Sequence, residues 1–146
     1  MIASMIAKRM VRSAFERMNE DDFDVDALLK QWADDAVRDG TSELGVGETI
    51  KGKKIIVDWL QRWKAEFPKR SFDVKNICFS VWPLCLTNVC MTQWSLTETD
   101  RQGREYKYDG VTVFQVKNFK TVRATNHISF AGLPQLSTLI KPTAKA

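Results

Sequence analysis

The sequence lacks the features that mark several common classes of protein. Its 146 residues contain no apolar run near the roughly 20 residues needed to cross a bilayer, so no membrane association is expected. The first residues, MIASMIAKRM, place apolar residues before basic ones, which is the reverse of a secretory signal. We therefore expect a cytoplasmic protein.

The residues that usually build metal, redox and phosphate sites are also scarce. The three cysteines, Cys78, Cys85 and Cys90, form no CxxC pair, so neither a disulfide framework nor a zinc site is indicated. The Gly–Val–Gly stretch at residues 45–47 lacks the lysine of a phosphate-binding loop. The single histidine, His127, is predicted to point away from the core, where it could not serve a nucleophile. We expect no cofactor and no metal.

What is present suits one globular domain with a proper core and no internal repeat or linker. The net charge of +4 comes from scattered lysines and arginines, with some concentration at residues 51–70. This stretch could attract phosphates, but a solvated helix face is the favoured interpretation, and no nucleic acid partner is expected.

Helical spacing of apolar residues occurs three times in the first half of the chain. The first predicted helix carries Ile6, Met10, Val11, Ala14, Phe15 and Met18. Asp24 can cap a second helix, whose apolar side carries Leu28, Leu29 and Trp32. A third helix opens near Gly52 and stops at Pro68. Its buried stripe is Ile56, Trp59, Leu60, Trp63 and Phe67.

The second half has the character of β-strands. Strands are predicted at residues 71–82, 86–99, 104–117 and 119–131, with turns at the sequences WPL, DRQG and KNF. Helices followed by a meander of strands indicate an α+β domain, in which the helices pack on one face of an antiparallel sheet.

One predicted strand, KYDGVTVF, contains an acidic residue among apolar ones. Asp109 shares a face with Val111 and Val113, because residues two apart in a strand point the same way. If residues 100–103 form the hairpin turn, Asp109 lies opposite Trp94. The prediction is a carboxyl group in an apolar cavity, suited to act as a general base or as a hydrogen-bond donor.

The last predicted strand adds an amide to this cavity. Its more apolar side, assigned to face the helices, carries Val122, Ala124, Asn126 and Ile128. An alternative remains open, in which Asp109 caps a backbone group or pairs with Lys107 or Arg123 at the rim of the sheet.

Three stretches together resemble a known family. They are DDFDVDALLKQWADDAVRDG, GKKIIVDWLQRW and WSLTETDRQGREYKYDGVTVFQVKNFKTVRATNHISF. They resemble the nuclear-transport-factor-2-like superfamily, which includes ketosteroid isomerases and SnoaL-like polyketide cyclases. The resemblance implies a cystatin-like α+β cone, in which three N-terminal helices wrap a curved antiparallel sheet around an apolar pocket. It implies a single SnoaL-like domain and a homodimer formed through the outer sheet face. We predict that this domain spans residues 1–146, and that residues 137–146, to judge from their own sequence, form a frayed tail.

The resemblance also implies roles for individual residues. Asp39 occupies the position of the aspartate that shuttles the proton in ketosteroid isomerases, although it could equally be a turn residue. Asp109 occupies the position of the protonated aspartate that donates to the enolate oxygen. At two positions this sequence differs from the family pattern. The first-helix tyrosine of the isomerases is replaced by Ala14 or Phe15, and Asn126 stands where SnoaL-like cyclases carry an acid.

Three functions follow from these observations. The first is a cofactor-independent isomerase or cyclase that moves a proton on an apolar, carbonyl-bearing ring compound, with Asp39 as base, Asp109 as donor and Asn126 as orienting group. Its ligand contacts would be Phe15, Trp59, Trp94, Val111, Val113 and Ile128. The second is a protein that binds a small hydrophobic molecule without turnover. The third is a dimeric interaction module whose outer sheet face includes Tyr106, Tyr108, Thr112 and Phe114.

Overall fold

The computed structural model describes residues 2–42, 48–80 and 87–129. The helices are α1 (Ile2–Arg17), α2 (Val25–Leu28) and α3 (Lys53–Glu66). The strands are β1 (Trp32–Ser42), β2 (Glu48–Lys51), β3 (Lys69–Ser80), β4 (Thr87–Thr99), β5 (Glu105–Lys117) and β6 (Lys120–Ser129). The predicted WPL turn, Cys85 and the tail at 137–146 lie outside the described residues.

The strands form one six-stranded sheet in the order β2-β1-β6-β5-β4-β3. The predicted α+β fold, with N-terminal helices on a curved sheet, is confirmed. One detail differs, because β1 pairs with β6 in parallel while the other neighbouring pairs are antiparallel. The sequence of residues 36–52 predicts a short strand followed by a turn-rich stretch, whereas β1 extends over 11 residues and lies between β2 and β6.

The β4–β5 hairpin turns where the sequence predicted, but with a different register. The Asp100 amide donates to the carbonyl of Arg104 at 3.0 Å, and the Asp100 carboxylate accepts from the amides of Gln102 and Arg104 at 2.9 Å. Gly103 adopts a left-handed conformation with φ of 81°, which is typical of a three-residue hairpin loop. Thr99 therefore lies opposite Glu105 rather than Arg104.

This slip of one residue reverses the two faces of β5. Trp94 lies opposite Gly110, and Asp109 lies opposite Ser95. The predicted inward positions of Asp109, Val111 and Val113 are therefore wrong, and these three side chains belong to the outer face. The predicted outward positions of Tyr108, Thr112 and Phe114 are wrong as well, since these residues line the cavity on the inner side.

Helix α1 is buried over its second half only. Phe15 is 4% exposed and packs edge-on against the rings of Phe72 and Phe114. Ile6 and Met10, which were predicted to lie on the buried stripe, are 56% and 61% exposed. The helical period of α1 was predicted correctly. Ile6 and Met10 are exposed because α1 packs against β3 only near the C-terminal end of the helix.

A buried arginine joins the ends of α1 and α3 to β3. The Arg70 guanidinium donates to the carbonyls of Met18 at 2.9 Å, Glu20 at 2.7 Å and Phe67. It also lies over the ring of Phe23, 5.1 Å from the ring centre. These contacts satisfy carbonyl groups that the ends of helices leave without partners. They hold the helices against the sheet around the cavity.

Candidate functional site

A cavity of about 310 Å³ lies between the concave face of the sheet and the helices. Its wall is largely aromatic and includes Phe15, Trp59, Trp63, Phe72, Trp94 and Phe114. Five polar side chains interrupt this wall, namely Arg38, Glu98, Tyr108, Thr112 and Asn126. A concave, mostly apolar site with a few polar groups is the usual form of a small-molecule site.

Glu98 is the carboxyl group of this cavity. It is 4% exposed and lies near the end of β4, on the same face as Trp94 and Leu96. Trp63 donates its indole N–H to Oε2 at 3.1 Å, and the Tyr108 hydroxyl is hydrogen-bonded to Oε1. Burial raises the pKa of Glu98, and the hydrogen bonds from Tyr108 and Trp63 oppose this shift without cancelling it.

The two partners of Glu98 fix where its proton can reside. An indole N–H can only donate, so Oε2 stays an acceptor in both protonation states. A tyrosine hydroxyl can donate or accept, so the proton of the neutral acid lies on Oε1, facing Tyr108. Burial and the neighbouring Glu98 raise the pKa of Tyr108 well above its usual range, so its hydroxyl keeps its proton. Glu98 and Tyr108 can thus stay hydrogen-bonded in both protonation states of Glu98: Tyr108 donates to the carboxylate, and the neutral acid donates to Tyr108.

A second polar chain crosses the sheet beside the cavity. Trp94 donates its indole N–H to the Thr112 hydroxyl at 2.9 Å, and that hydroxyl donates to the Asn126 side-chain carbonyl at 2.7 Å. Each of the three residues lies on a different strand, and each faces inward. The chain fixes the orientation of Asn126 and leaves none of these buried polar groups unsatisfied.

Arg38 brings a positive charge to the cavity wall. It lies on β1, and its guanidinium stacks over the ring of Trp59, 3.7 Å from the ring centre. Burial lowers the pKa of Arg38 to about 10, while the charges of Glu48 and Asp39 act in the opposite direction. The guanidinium therefore stays protonated at neutral pH.

The sequence of this chain matches a family model described as the SnoaL-like domain over residues 11–124. The chain belongs to the SnoaL-like domain family. The predicted resemblance to the nuclear-transport-factor-2-like superfamily is thereby confirmed. No curated protein sequence matches this SnoaL-like chain at a significant level.

Solved structures of distant relatives share the fold of this SnoaL-like chain. A proposed aromatic ring hydroxylase from Novosphingobium aromaticivorans DSM has a TM-score of 0.70 at 18% identity, over 83% of this chain and 85% of the other. An NTF2-like protein of unknown function from Burkholderia pseudomallei K96243 gives 0.69 at 16% identity, over 92% and 97%. A proposed SnoaL-like polyketide cyclase from Jannaschia sp. CCS1 gives 0.66 at 12% identity, over 94% and 92%.

The two aspartates predicted for the SnoaL-like site do not reach its cavity. Because Arg38 faces inward, Asp39 faces outward, where its carboxylate pairs with Arg123 at 3.0 Å and accepts from Thr49 at 3.0 Å. Asp109 is exposed and accepts a hydrogen bond from Ser95 at 2.5 Å. Neither carboxylate lines the cavity, so the predicted meeting of two aspartates in one pocket is wrong.

The other predicted site residues divide by strand register. Five of the residues that were predicted to face inward do line the cavity, namely Phe15, Trp59, Trp94, Asn126 and Ile128. Their roles in binding or catalysis stay predictions. Val111 and Val113 do not line it, because the slip of one residue in β5 turns them outward.

The sequence contained a signal for Glu98 that the prediction missed. Glu98 follows Trp94 by four residues in one strand, so any register that buries Trp94 also directs Glu98 inward. Arg38 carried no comparable signal, since the inward face of β1 depends on its pairing with β6.

Clusters of metal ligands and membrane-spanning helices are both absent from the described residues. They contain no group of three or more histidine, cysteine, aspartate or glutamate side chains that could hold a metal ion. Within the same residues, no helix has the length and apolar character needed to cross a membrane.

Proposed function

We propose that this SnoaL-like protein is a cofactor-independent enzyme of the isomerase or cyclase type, which moves a proton on an apolar, carbonyl-bearing ring compound. The SnoaL-like family includes polyketide cyclases and isomerases. One observation carries the proposal: a buried carboxyl group, Glu98, lies in the wall of an aromatic cavity, and burial raises its pKa above the usual range. Such a group is suited to general acid–base catalysis near neutral pH.

Glu98 replaces the two aspartates as the group that handles the proton. In its ionised form it would take a proton from the carbon beside the ligand carbonyl, so that the C–H bond breaks and an Oε1–H bond forms. The electron pair of the C–H bond moves to the carbonyl oxygen as an enolate. The new Oε1–H can then donate to Tyr108, which releases the tyrosine O–H to stabilise the enolate oxygen.

The fate of the enolate decides between the two reaction types. Return of the proton from Glu98 to another carbon of the conjugated system gives isomerisation. Attack of the enolate carbon on a second carbonyl of the same ligand gives cyclisation. The aromatic wall and a volume of about 310 Å³ suit a small ring compound in either case.

Deuterium exchange tests the proton transfer without knowledge of the natural substrate. 2-Tetralone, a cyclic ketone with an acidic C–H beside its carbonyl, is incubated with the protein in D₂O, and loss of the C–H signal is followed by NMR. The wild type should accelerate exchange above the buffer rate, and Glu98→Gln should lose about 100-fold or more of that acceleration. Glu105→Gln is the matched control, because Glu105 lies on the same hairpin and is exposed. Equal exchange by wild type and Glu98→Gln contradicts the proposal.

A second candidate function is binding of a small hydrophobic molecule without turnover. One observation favours it: both oxygens of Glu98 already have hydrogen-bond partners within the protein, as expected of a structural buried acid. Binding without any accelerated exchange by the wild type supports this second function over the first.

A further inference from the structure

Arg38 and Arg70 are both inward-facing arginines, yet they use their guanidinium groups differently. Arg70 donates to backbone carbonyls at the ends of α1 and α3, and this accounts for its burial. Within the described residues, the Arg38 guanidinium makes no hydrogen bond and no ion pair, and its neighbour is the face of Trp59. Within the described residues, the five N–H groups of Arg38 thus have no acceptor.

The N–H groups of Arg38 are not sealed inside the protein. The described residues contain no fully buried side-chain nitrogen or oxygen without a hydrogen-bond partner. The nitrogens of Arg38 therefore reach accessible space, and Arg38 is the one cation among the described residues that line the cavity. Stacking on Trp59 covers one face of the guanidinium and leaves its edge, which carries the donors, for another partner.

The charges of Glu48 and Asp39 compensate that of Arg38 in part, but within the described residues neither carboxylate forms an ion pair with it. Ala124 lies across from it on β6 and is 2% exposed, so the strand neighbour offers no polar atom from its side chain. The carboxylate of the next residue, Asp39, faces the other side of the sheet and is paired with Arg123. Burial costs the cation hydration, as the lowering of its pKa to about 10 indicates. A bound anion would supply the missing partner.

We infer that the ligand of this cavity carries a carboxylate, which the Arg38 guanidinium binds while the ring system lies against the aromatic wall. This inference rests on the proposed cavity function and specifies its ligand class, an apolar ring compound that bears an acid group. The planar fork of an arginine matches the two oxygens of a carboxylate, and a guanidinium held flat on an indole is already oriented for that contact.

Calorimetric titration with two matched probes tests this inference. 2-Naphthoate and 2-naphthamide share their ring and nearly their shape, but only the first is charged at neutral pH. The wild type should bind 2-naphthoate about tenfold or more tightly than the amide. Arg38→Met keeps the length of the side chain and should weaken 2-naphthoate binding about 10- to 100-fold, with little effect on 2-naphthamide.

Two further variants separate charge from geometry and from general effects. Arg38→Lys keeps the charge but loses the fork and most of the stacking, so we expect an intermediate affinity for 2-naphthoate. Arg62→Met should bind like the wild type, because Arg62 is exposed on α3 and its guanidinium donates to the backbone of its own helix. Melting temperatures of all variants verify that each is folded.

The outcomes distinguish this inference from the proposed function. Equal affinity of the wild type for the two probes, or an equal loss of both with Arg38→Met, overturns the carboxylate assignment and leaves the exchange experiment unaffected. Failure of both probes to bind also overturns it. Conversely, a clear preference for 2-naphthoate with no catalysed exchange of 2-tetralone supports the carboxylate site and rejects the enzyme.

Discussion

Trp94 lies over Gly110 so closely that a Cβ atom on Gly110 would stand 2.4 Å from the indole ring. The two residues are paired across β4 and β5, and the indole also donates to Thr112. Gly110 therefore leaves the space in which Trp94 forms part of the cavity wall.

Gly110→Ala should destabilise the protein by about 1–3 kcal/mol, because the new methyl group forces the buried indole to move. Urea denaturation gives the free energy of unfolding. Gly40→Ala is the matched control, since a Cβ there meets its nearest atom at an ordinary 3.9 Å. The control should be neutral or slightly stabilising. Equal stability of Gly110→Ala and the wild type would show that Trp94 does not occupy this position.

The same pair of residues shows what could and could not be predicted from the sequence. The helix periods, the four C-terminal strands and the turn at residues 100–103 could be predicted, because each depends on neighbours in the chain. The register of β5 was not, because it depends on whether Arg104 belongs to the turn or to the strand. Asp100 decides this by bonding the Arg104 backbone, a choice that local propensity does not reveal.

In the candidate site too, features set by local sequence could be predicted, and features set by strand pairing could not. Phe15 and Trp59 were predicted from helical periodicity, and they line the cavity. Trp94 lines it as well, although its inward position was predicted from a β4–β5 register that is wrong. Arg38 was missed because its face is set by a parallel partner that lies more than 80 residues away in the chain, a pairing that no local pattern encodes. Long-range pairing, rather than local propensity, therefore decides which polar groups meet in the cavity.

Arg70→Met should destabilise the protein by about 3 kcal/mol, since several partly buried carbonyls lose their donor at once and each such loss costs about 1–3 kcal/mol. Arg70 is 5% exposed and bonds carbonyls at both helix ends, so the loss involves several groups at once. Arg70→Lys should rescue little, because one ammonium cannot replace a planar fork. The measurement is the midpoint and slope of urea denaturation, with Arg62→Met as the exposed control. A loss below 1 kcal/mol, on the order of a surface substitution, contradicts this role.

We propose that the protein forms a homodimer through the outer sheet face, as the family resemblance implies, but with residues other than those first predicted. Met91 and Val113 are paired on this face, and Met91 is 48% exposed. Val113→Lys should weaken association without unfolding the subunit. Phe119→Lys is the control, because Phe119 is 93% exposed in the β5–β6 turn. Analytical ultracentrifugation at micromolar concentration measures both, and a monomeric wild type refutes the dimer.

The dependence of stability on pH should report the buried state of Glu98. Burial raises the pKa of Glu98 in the folded protein, so the fold penalises the ionised form. The stability that this group contributes is therefore fully present below its unfolded pKa, and it is lost as pH rises through the folded value. Glu98→Gln cannot ionise, yet its amide can still accept from Trp63 and donate to Tyr108.

The melting temperatures of wild type and Glu98→Gln, measured in parallel from acidic to neutral pH, isolate this effect. Other titrating groups are common to both proteins and cancel in the difference. The wild type should lose stability relative to Glu98→Gln as pH rises, and the difference should level off above the folded pKa of Glu98. A difference that stays constant with pH would mean that Glu98 titrates alike in the folded and unfolded chains. The opposite slope would mean that the ionised form is favoured by its partners, so that Glu98 is a fixed carboxylate rather than a group poised to exchange a proton.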